Sequence, residues 1–231
     1  MSVIRLQDVS KIYQDHGIPV KALQEINLEV QAGEFTTVVG PSGSGKSTLL
    51  NLIGGLDAPT TGKVWIENQE LSALKPSDLI NLRLHRIGFV FQAFNLIPVL
   101  TALENVEFIL LLQGAAKSDR QRRARELLDA VGLGDQLHRR PTELSGGQQQ
   151  RVAVARALAS LPAFVLADEP TANLDSASAD NLLSIMERLN HEQGMTFIFS
   201  THDARVVARA HRVITLQDGR VFNDEPREPA A

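Results

Sequence analysis

The chain has 231 residues, 43% of them hydrophobic and 22% charged, the balance of an ordinary globular protein with room for one large core. Its net charge of −4 argues against a general nucleic-acid binder, which carries a basic excess, so no nucleic-acid partner is expected. It has no cysteine, which excludes a disulfide or thiolate-metal framework and fits a reducing compartment.

Met1-Ser2-Val3-Ile4-Arg5 lacks the apolar stretch of a signal peptide. The longest aliphatic run, Phe108-Ile109-Leu110-Leu111-Leu112, is far shorter than the ~20 residues that span a bilayer. A cytoplasmic location is therefore expected, with any membrane role supplied through a partner. Residues 1 to about 35 alternate short apolar and polar stretches, the pattern of antiparallel strands. Phe35-Thr36-Thr37-Val38-Val39 is a β-branched run ending at Gly40, which predicts a buried strand followed by a helix from Lys46 to about Ile53. Val64-Trp65-Ile66 and Ile87-Gly88-Phe89-Val90-Phe91 add strands, with a turn at Asn68-Gln69.

From about Ala93 to Ala159 the pattern turns helical. Ser118 and Gln121 have capping-box spacing, and Leu127, Leu128 and Val131 form an apolar stripe ahead of a stop at Gly132. The charged run Asp119–Glu126 is read as that helix's solvated face. Ala163–Ala167 and Thr196–Ser200 are near-continuous apolar runs, as strands buried on both faces should be, with a helix from about Ser176 to Asn190 between them. Val213–Leu216 and Arg220–Phe222 flank an Asp218-Gly219 hairpin turn, and residues 224–231 are expected to be a disordered tail. The expectation is one domain over 1–231, with a helical lobe inserted at about 93–160.

Gly40-Pro41-Ser42-Gly43-Ser44-Gly45-Lys46-Ser47 is a phosphate loop in the required context, between a strand and a helix. Gly40, Gly43 and Gly45 let the backbone turn its N–H groups inward toward phosphate, where the helix dipole adds positive charge. Lys46 can reach the β- and γ-phosphates, and Ser47 can ligate Mg²⁺. Asp168 and Glu169 end a buried strand where ligands bind such sheets, which assigns Asp168 to the Mg²⁺ shell and Glu169 to activation of the attacking water. His202 ends the next strand on the same side and is a candidate γ-phosphate contact, whereas His16, His85, His138, His191 and His211 are read as surface or core residues. A second glycine turn, Leu144-Ser145-Gly146-Gly147-Gln148, opens its own helix, with Ser145 and Gln148 at capping-box spacing. Its two glycines bare the first amides of the helix for an anion.

Taken together, these motifs resemble the ATPase subunit of an ABC transporter from about Val3 to Phe222. Gly40–Thr48 stands at the family's Walker A motif, with Ser42, Ser44 and Thr48 among its nucleotide contacts. Phe164–Glu169 stands at Walker B, and Leu144–Gln148 at the signature motif. Gln92 resembles the Q-loop glutamine, which senses Mg²⁺ and the transmembrane partner. Asn173-Leu174-Asp175 resembles the D-loop, His202 the switch histidine, and Tyr13 the aromatic that stacks on adenine. Ala172 departs from close relatives, which commonly carry Gly after the Pro170-Thr171 pair. The resemblance implies an α/β fold with a P-loop core and mainly parallel sheet, an N-terminal antiparallel subdomain and an inserted helical subdomain. It implies ATP and Mg²⁺ as cofactors, and two copies closing head to tail so that Ser145 and Gly147 meet the γ-phosphate held by the other copy, with Gly146 and Gln148 also among the nucleotide contacts.

Ile87–Pro98 and Leu100–Val106 are similar to the lipoprotein-release and macrolide-exporter group, the LolD and MacB types. That likeness implies an FtsX/MacB-like integral-membrane permease as partner, a peripheral position on the inner face of the membrane, and extraction or extrusion of substrate. An amino-acid importer ATPase is the alternative within the family. A non-transport member would need a coiled-coil insertion or a second cassette, and neither fits in 231 residues.

Overall fold

A computed structural model describes residues 1–15 and 18–227 of the chain. The first part runs β1 (Ser2–Asp15), β2 (Ile18–Gln31), β3 (Phe35–Val39), α1 (Lys46–Ile53), β4 (Thr61–Ile66) and β5 (Gln69–Glu70). Next come α2 (Pro76–Arg86), β6 (Ile87–Val90), α3 (Ala102–Leu112), α4 (Lys117–Ala130) and α5 (Gly146–Ala159). The chain ends with β7 (Phe164–Asp168), α6 (Ser176–Gln193), β8 (Phe197–Ser200), α7 (Ala204–Arg209), β9 (Arg212–Gln217) and β10 (Arg220–Pro226).

The strands form two sheets. One is antiparallel, in the order β2-β1-β4-β5. The other has the order β10-β9-β3-β8-β7-β6, parallel throughout except for the antiparallel edge strand β10. The expected fold class, a parallel core with an antiparallel sheet and a run of helices, is what the chain adopts.

Two-residue periodicity divides the core. Along β7, Val165 and Ala167 pack toward α3, α4, α5 and α6, while Phe164 and Leu166 face α1 and the antiparallel sheet. Both faces of the parallel sheet are thus buried, which explains the continuous apolar runs that the sequence carries there. Fully burying side chains such as Phe35, Phe164, Phe197 and Phe199 contributes roughly 1.5–3 kcal/mol each.

Several local expectations change. The helix α4 starts at Lys117 after Ala116, with no side-chain cap, so Ser118 lies inside its first turn rather than at its end. The chain re-enters helix within a few residues of the Gly114 turn, which leaves no room for a later start. The tail is not free through 224–226: Asp224, Glu225 and Pro226 pair with Ile214, Val213 and Arg212, and Arg212 holds Asp224 by two bonds of 2.7 Å. Residues 228–231, like His16, lie outside the described residues. The β4–β5 turn falls at Glu67-Asn68, one residue earlier than expected. Ala172 needs no glycine, because its φ is not positive.

The segment between β6 and α3 is fixed by one buried side chain. Asn105, fully buried, accepts from the Ile97 amide at 2.8 Å and donates to the carbonyls of Ile97, Leu100 and Thr101 at 3.2, 3.1 and 2.9 Å. Asn105→Ala would remove the side-chain partner of the Ile97 amide and of the Leu100 carbonyl and is expected to cost about 2–3 kcal/mol. Urea unfolding measures this, and a loss well under 1 kcal/mol would contradict the role.

Candidate functional site

In the parallel sheet Val38 and Asp168 both lie beside Ser200. The loops after β3, β7 and β8 therefore emerge at one edge, and they carry the phosphate loop, Asp168-Glu169 and Thr201-His202.

The first turn of α1 is open. Gly45 at its N-cap has φ 102°, a conformation that suits glycine, and no side chain caps the helix. A Cβ there would also stand 2.5 Å from the Ala22 carbonyl oxygen. The uncapped amides are a ready anion site. Lys46 Nζ donates to the Gly40 and Pro41 carbonyls at 2.8 and 3.1 Å, so it arches over the loop. The buried Ser44 hydroxyl has no partner among the described residues, as a donor kept for a phosphate oxygen would have none. Ser47 Oγ donates to Asp168 Oδ1 at 3.3 Å, which joins two hard oxygen donors next to the anion site. Among the described residues no cluster of three metal-binding side chains exists. A Mg²⁺ held by one or two protein oxygens plus substrate phosphates needs none.

Glu169 occupies a left-handed backbone conformation with φ 45°, a strained position for a non-glycine residue. Its Oε2 accepts from Thr201 Oγ1 at 2.9 Å, and its Oε1 lies 2.8 Å from His202 Nδ1. The His202 side chain is 79% exposed against 18% for Glu169, so the pair reaches outward from the sheet edge. Asp203 secures this loop. It accepts from Thr171 Oγ1 at 2.8 Å, binds Arg205 through three contacts of 2.7–3.2 Å and caps α7. The bonds from Arg205 hold its carboxyl at about 2 despite the opposing effect of burial.

The signature-like turn takes the expected capping box: Gln148 N donates to Ser145 Oγ at 3.2 Å, and Ser145 N to Gln148 Oε1 at 2.9 Å. Its glycines have a second cause besides bare amides. A Cβ on Gly147 would stand 2.8 Å from Ser178 Cβ, so α5 and α6 can approach only over glycine. The atoms nearest to Gly146 and Gly147 belong to Phe94, Asn173, Leu174 and Ser178, not to this chain's phosphate loop. Asp175 caps α6 by accepting from Ser178 N at 2.9 Å and Ser178 Oγ at 2.6 Å, and these bonds hold its carboxyl below its ordinary range. Tyr13, 38% exposed, donates its hydroxyl to Asp57 Oδ2 at 2.8 Å.

Sequence patterns do not reveal how the segment around Gln92 is held. The carbonyls of Phe91, Gln92, Phe94 and Asn95 accept respectively from Gln150 (3.4 Å), Asn173 (2.9 Å) and, for the last two, Arg156 (2.9 and 2.5 Å). Phe94 and Asn95 have φ 48° and 52°, and Arg156, its basicity lowered by burial, bridges both. The sequence offers little hint, because Gln150 and Arg156 share their helix with Gln148, Gln149 and Arg151, and spacing alone does not single them out. Under this segment an apolar cavity of about 430 Å³ is lined by Leu56, Arg83, Phe89, Phe91, Ile97 and Arg156 among others.

The ABC transporter family model matches residues 23–172. The chain belongs to the ABC transporter family. It is 48% identical to the lipoprotein-releasing system ATP-binding protein LolD of Anaeromyxobacter dehalogenans, covering 96% of this chain and 94% of that protein. It is also 48% identical to the macrolide export ATP-binding/permease protein MacB of Hyphomonas neptunium, covering 99% of this chain but only 35% of that longer protein. A solved dimeric structure of the ATP-binding cassette MJ0796 of Methanocaldococcus jannaschii, in a post-hydrolysis state with ADP and Pi, superposes with a TM-score of 0.89 at 45% identity. That match covers 96% of this chain and 98% of the cassette. The ABC cassette described here is thus an ATPase of the LolD/MacB type.

The Asp203 contacts give a pH test. Asp203→Asn is expected to lower unfolding free energy by about 2 kcal/mol at pH 7. With the folded pKa below the ordinary value, that contribution is present above about pH 4 and is lost as pH falls toward 2. Urea unfolding at pH 7 and pH 3 should show the gap between wild type and variant narrowing. Equal stabilities at pH 7 would contradict the role.

Proposed function

We propose that this cassette binds ATP at its own phosphate loop and hydrolyses it only when a second copy supplies the signature turn. The supporting observation is that Gly146 and Gly147 lie against Phe94, Asn173, Leu174 and Ser178, away from the loop that the turn would have to complete. The dimeric state of the related MJ0796 cassette supports the same reading.

The bare amides of the phosphate loop and Lys46 Nζ bind the β- and γ-phosphates, and Gly40, Ser42, Gly43, Ser44, Gly45 and Thr48 shape that cradle. Mg²⁺, when bound, would neutralise phosphate charge, with Ser47, Asp168 and Gln92 as its protein-side groups. Glu169 accepts the proton of the attacking water, whose oxygen bonds to the γ-phosphorus as the bond to the ADP oxygen breaks. His202 and Thr201 orient that carboxylate. Ser145, Gly146, Gly147 and Gln148 of the other copy bring a helix N-terminus to the γ-phosphate, and Asp175 keeps α6 in register beneath the turn. Closing the pair excludes water from the reacting atoms.

No helix among the described residues is long and apolar enough to cross a membrane. The membrane component is a permease that docks on the cavity beneath Phe91 and Ile97, with the cassette lying on the cytoplasmic side. The names of the LolD and MacB relatives favour extraction or export over import.

Glu169→Gln should still bind ATP, lose hydrolysis by more than about 100-fold and accumulate as a dimer in ATP, read by phosphate release and size-exclusion chromatography. Near-wild-type hydrolysis would overturn the assignment.

A further inference from the structure

Tyr13 is tied down more firmly than a stacking surface requires. Its hydroxyl donates to Asp57 Oδ2 at 2.8 Å. The other oxygen, Asp57 Oδ1, accepts from Lys11 Nζ at 2.6 Å and from the Ala58 amide at 2.7 Å. Lys11 Nζ also donates to the Ala58 carbonyl at 2.8 Å and stands 4.8 Å from the centroid of the Tyr13 ring. The Lys11 side chain is only 12% exposed, so the cation is committed to this cluster. Yet Tyr13 remains 38% exposed although its hydroxyl and one ring face are engaged, which leaves surface for a planar group.

The cluster also joins two parts of the nucleotide site. The segment 56–60 leaves the end of α1, with the Leu56 and Asp57 amides both bound to the Asn51 carbonyl. Further on, Thr60 N donates to Ser10 O at 2.8 Å, and Ile12 N donates to Thr60 Oγ1 at 3.0 Å. An unbroken series of bonds therefore runs from the phosphate loop through α1 and Asp57 to the tyrosine. Burial pushes the Asp57 carboxyl up, but the bonds from Lys11, Tyr13 and Ala58 outweigh it and keep the acceptor ionised.

We propose that Lys11 and Asp57 are positioning residues that hold the Tyr13 ring at a fixed span from the phosphate loop, so that it presents a preset face to the nucleobase. This rests on the reading of Tyr13 as the adenine-stacking residue. The ring needs no ordering when nucleotide arrives, and the affinity gained belongs to the base rather than the triphosphate.

The test compares Tyr13→Ala, Tyr13→Phe, Asp57→Ala and the double variant Tyr13→Ala/Asp57→Ala, with ATP and inorganic tripolyphosphate as probes. Asp57→Ala and Tyr13→Phe should each raise KM for ATP three- to tenfold. For Asp57→Ala, kcat should stay within twofold and tripolyphosphate affinity should not move. In the Tyr13→Ala background, Asp57→Ala should add less than twofold. If Tyr13→Ala weakens ATP binding while Asp57→Ala and Tyr13→Phe do not, the tether is wrong and the stacking role stands. If Tyr13→Ala leaves KM unchanged, the stacking assignment itself falls. If Asp57→Ala weakens tripolyphosphate as much as ATP, Asp57 acts through α1 and the proposal is overturned. Tyr13→Phe removes only a hydroxyl, so the question stays open to measurement even if Asp57→Ala folds poorly.

Discussion

Because β3 pairs in parallel with β8, and β8 with β7, segments far apart in the chain leave the sheet side by side. The phosphate loop, the Asp168-Glu169 pair and His202 owe their proximity to that pairing. Burying both faces of the sheet fixes the register, since a one-residue slip would exchange Val165 and Ala167 for Phe164 and Leu166 between two different cores. Packing thus sets the distances on which the proposed chemistry depends: Ser47 to Asp168, and Glu169 to His202.

Three strained residues lie around the same edge. Glu169, Phe94 and Asn95 all hold positive φ, each at a cost of order 1–3 kcal/mol. Each is restrained by other elements: Glu169 by Ser200 and Thr201, Phe94 and Asn95 by Arg156 of the signature helix. Arg156 also lines the apolar cavity, so a partner filling that cavity would touch the side chain that holds the Gln92 segment to α5. One helix thereby carries both the signature-like turn and the clamp on the segment facing the cavity.

The parallel core, the phosphate loop and the strand-end carboxylates were legible because periodicity and turn chemistry are local. The capping box at Ser145 was legible for the same reason. α2 was not, because Leu82 is its only buried residue and no apolar stripe marks it. Nor was the start of α4, where Ser118 offers a cap-like pattern that the chain does not use. The clamp by Gln150, Asn173 and Arg156, and the bond from Tyr13 to Asp57, join side chains to groups distant in sequence. Such contacts leave no spacing signal, and only the folded arrangement reveals them.

The central claim is that the signature turn acts on the phosphate loop of another copy. Mixing two inactive chains tests it most directly: one carrying Ser145→Arg, the other Lys46→Ala. A mixed pair would contain one composite site with an intact phosphate loop and an intact signature turn. Steady-state ATP hydrolysis should therefore be silent for each variant alone and reappear on mixing. A mixture as inactive as its parts, with mixed dimers shown to form, would contradict the account.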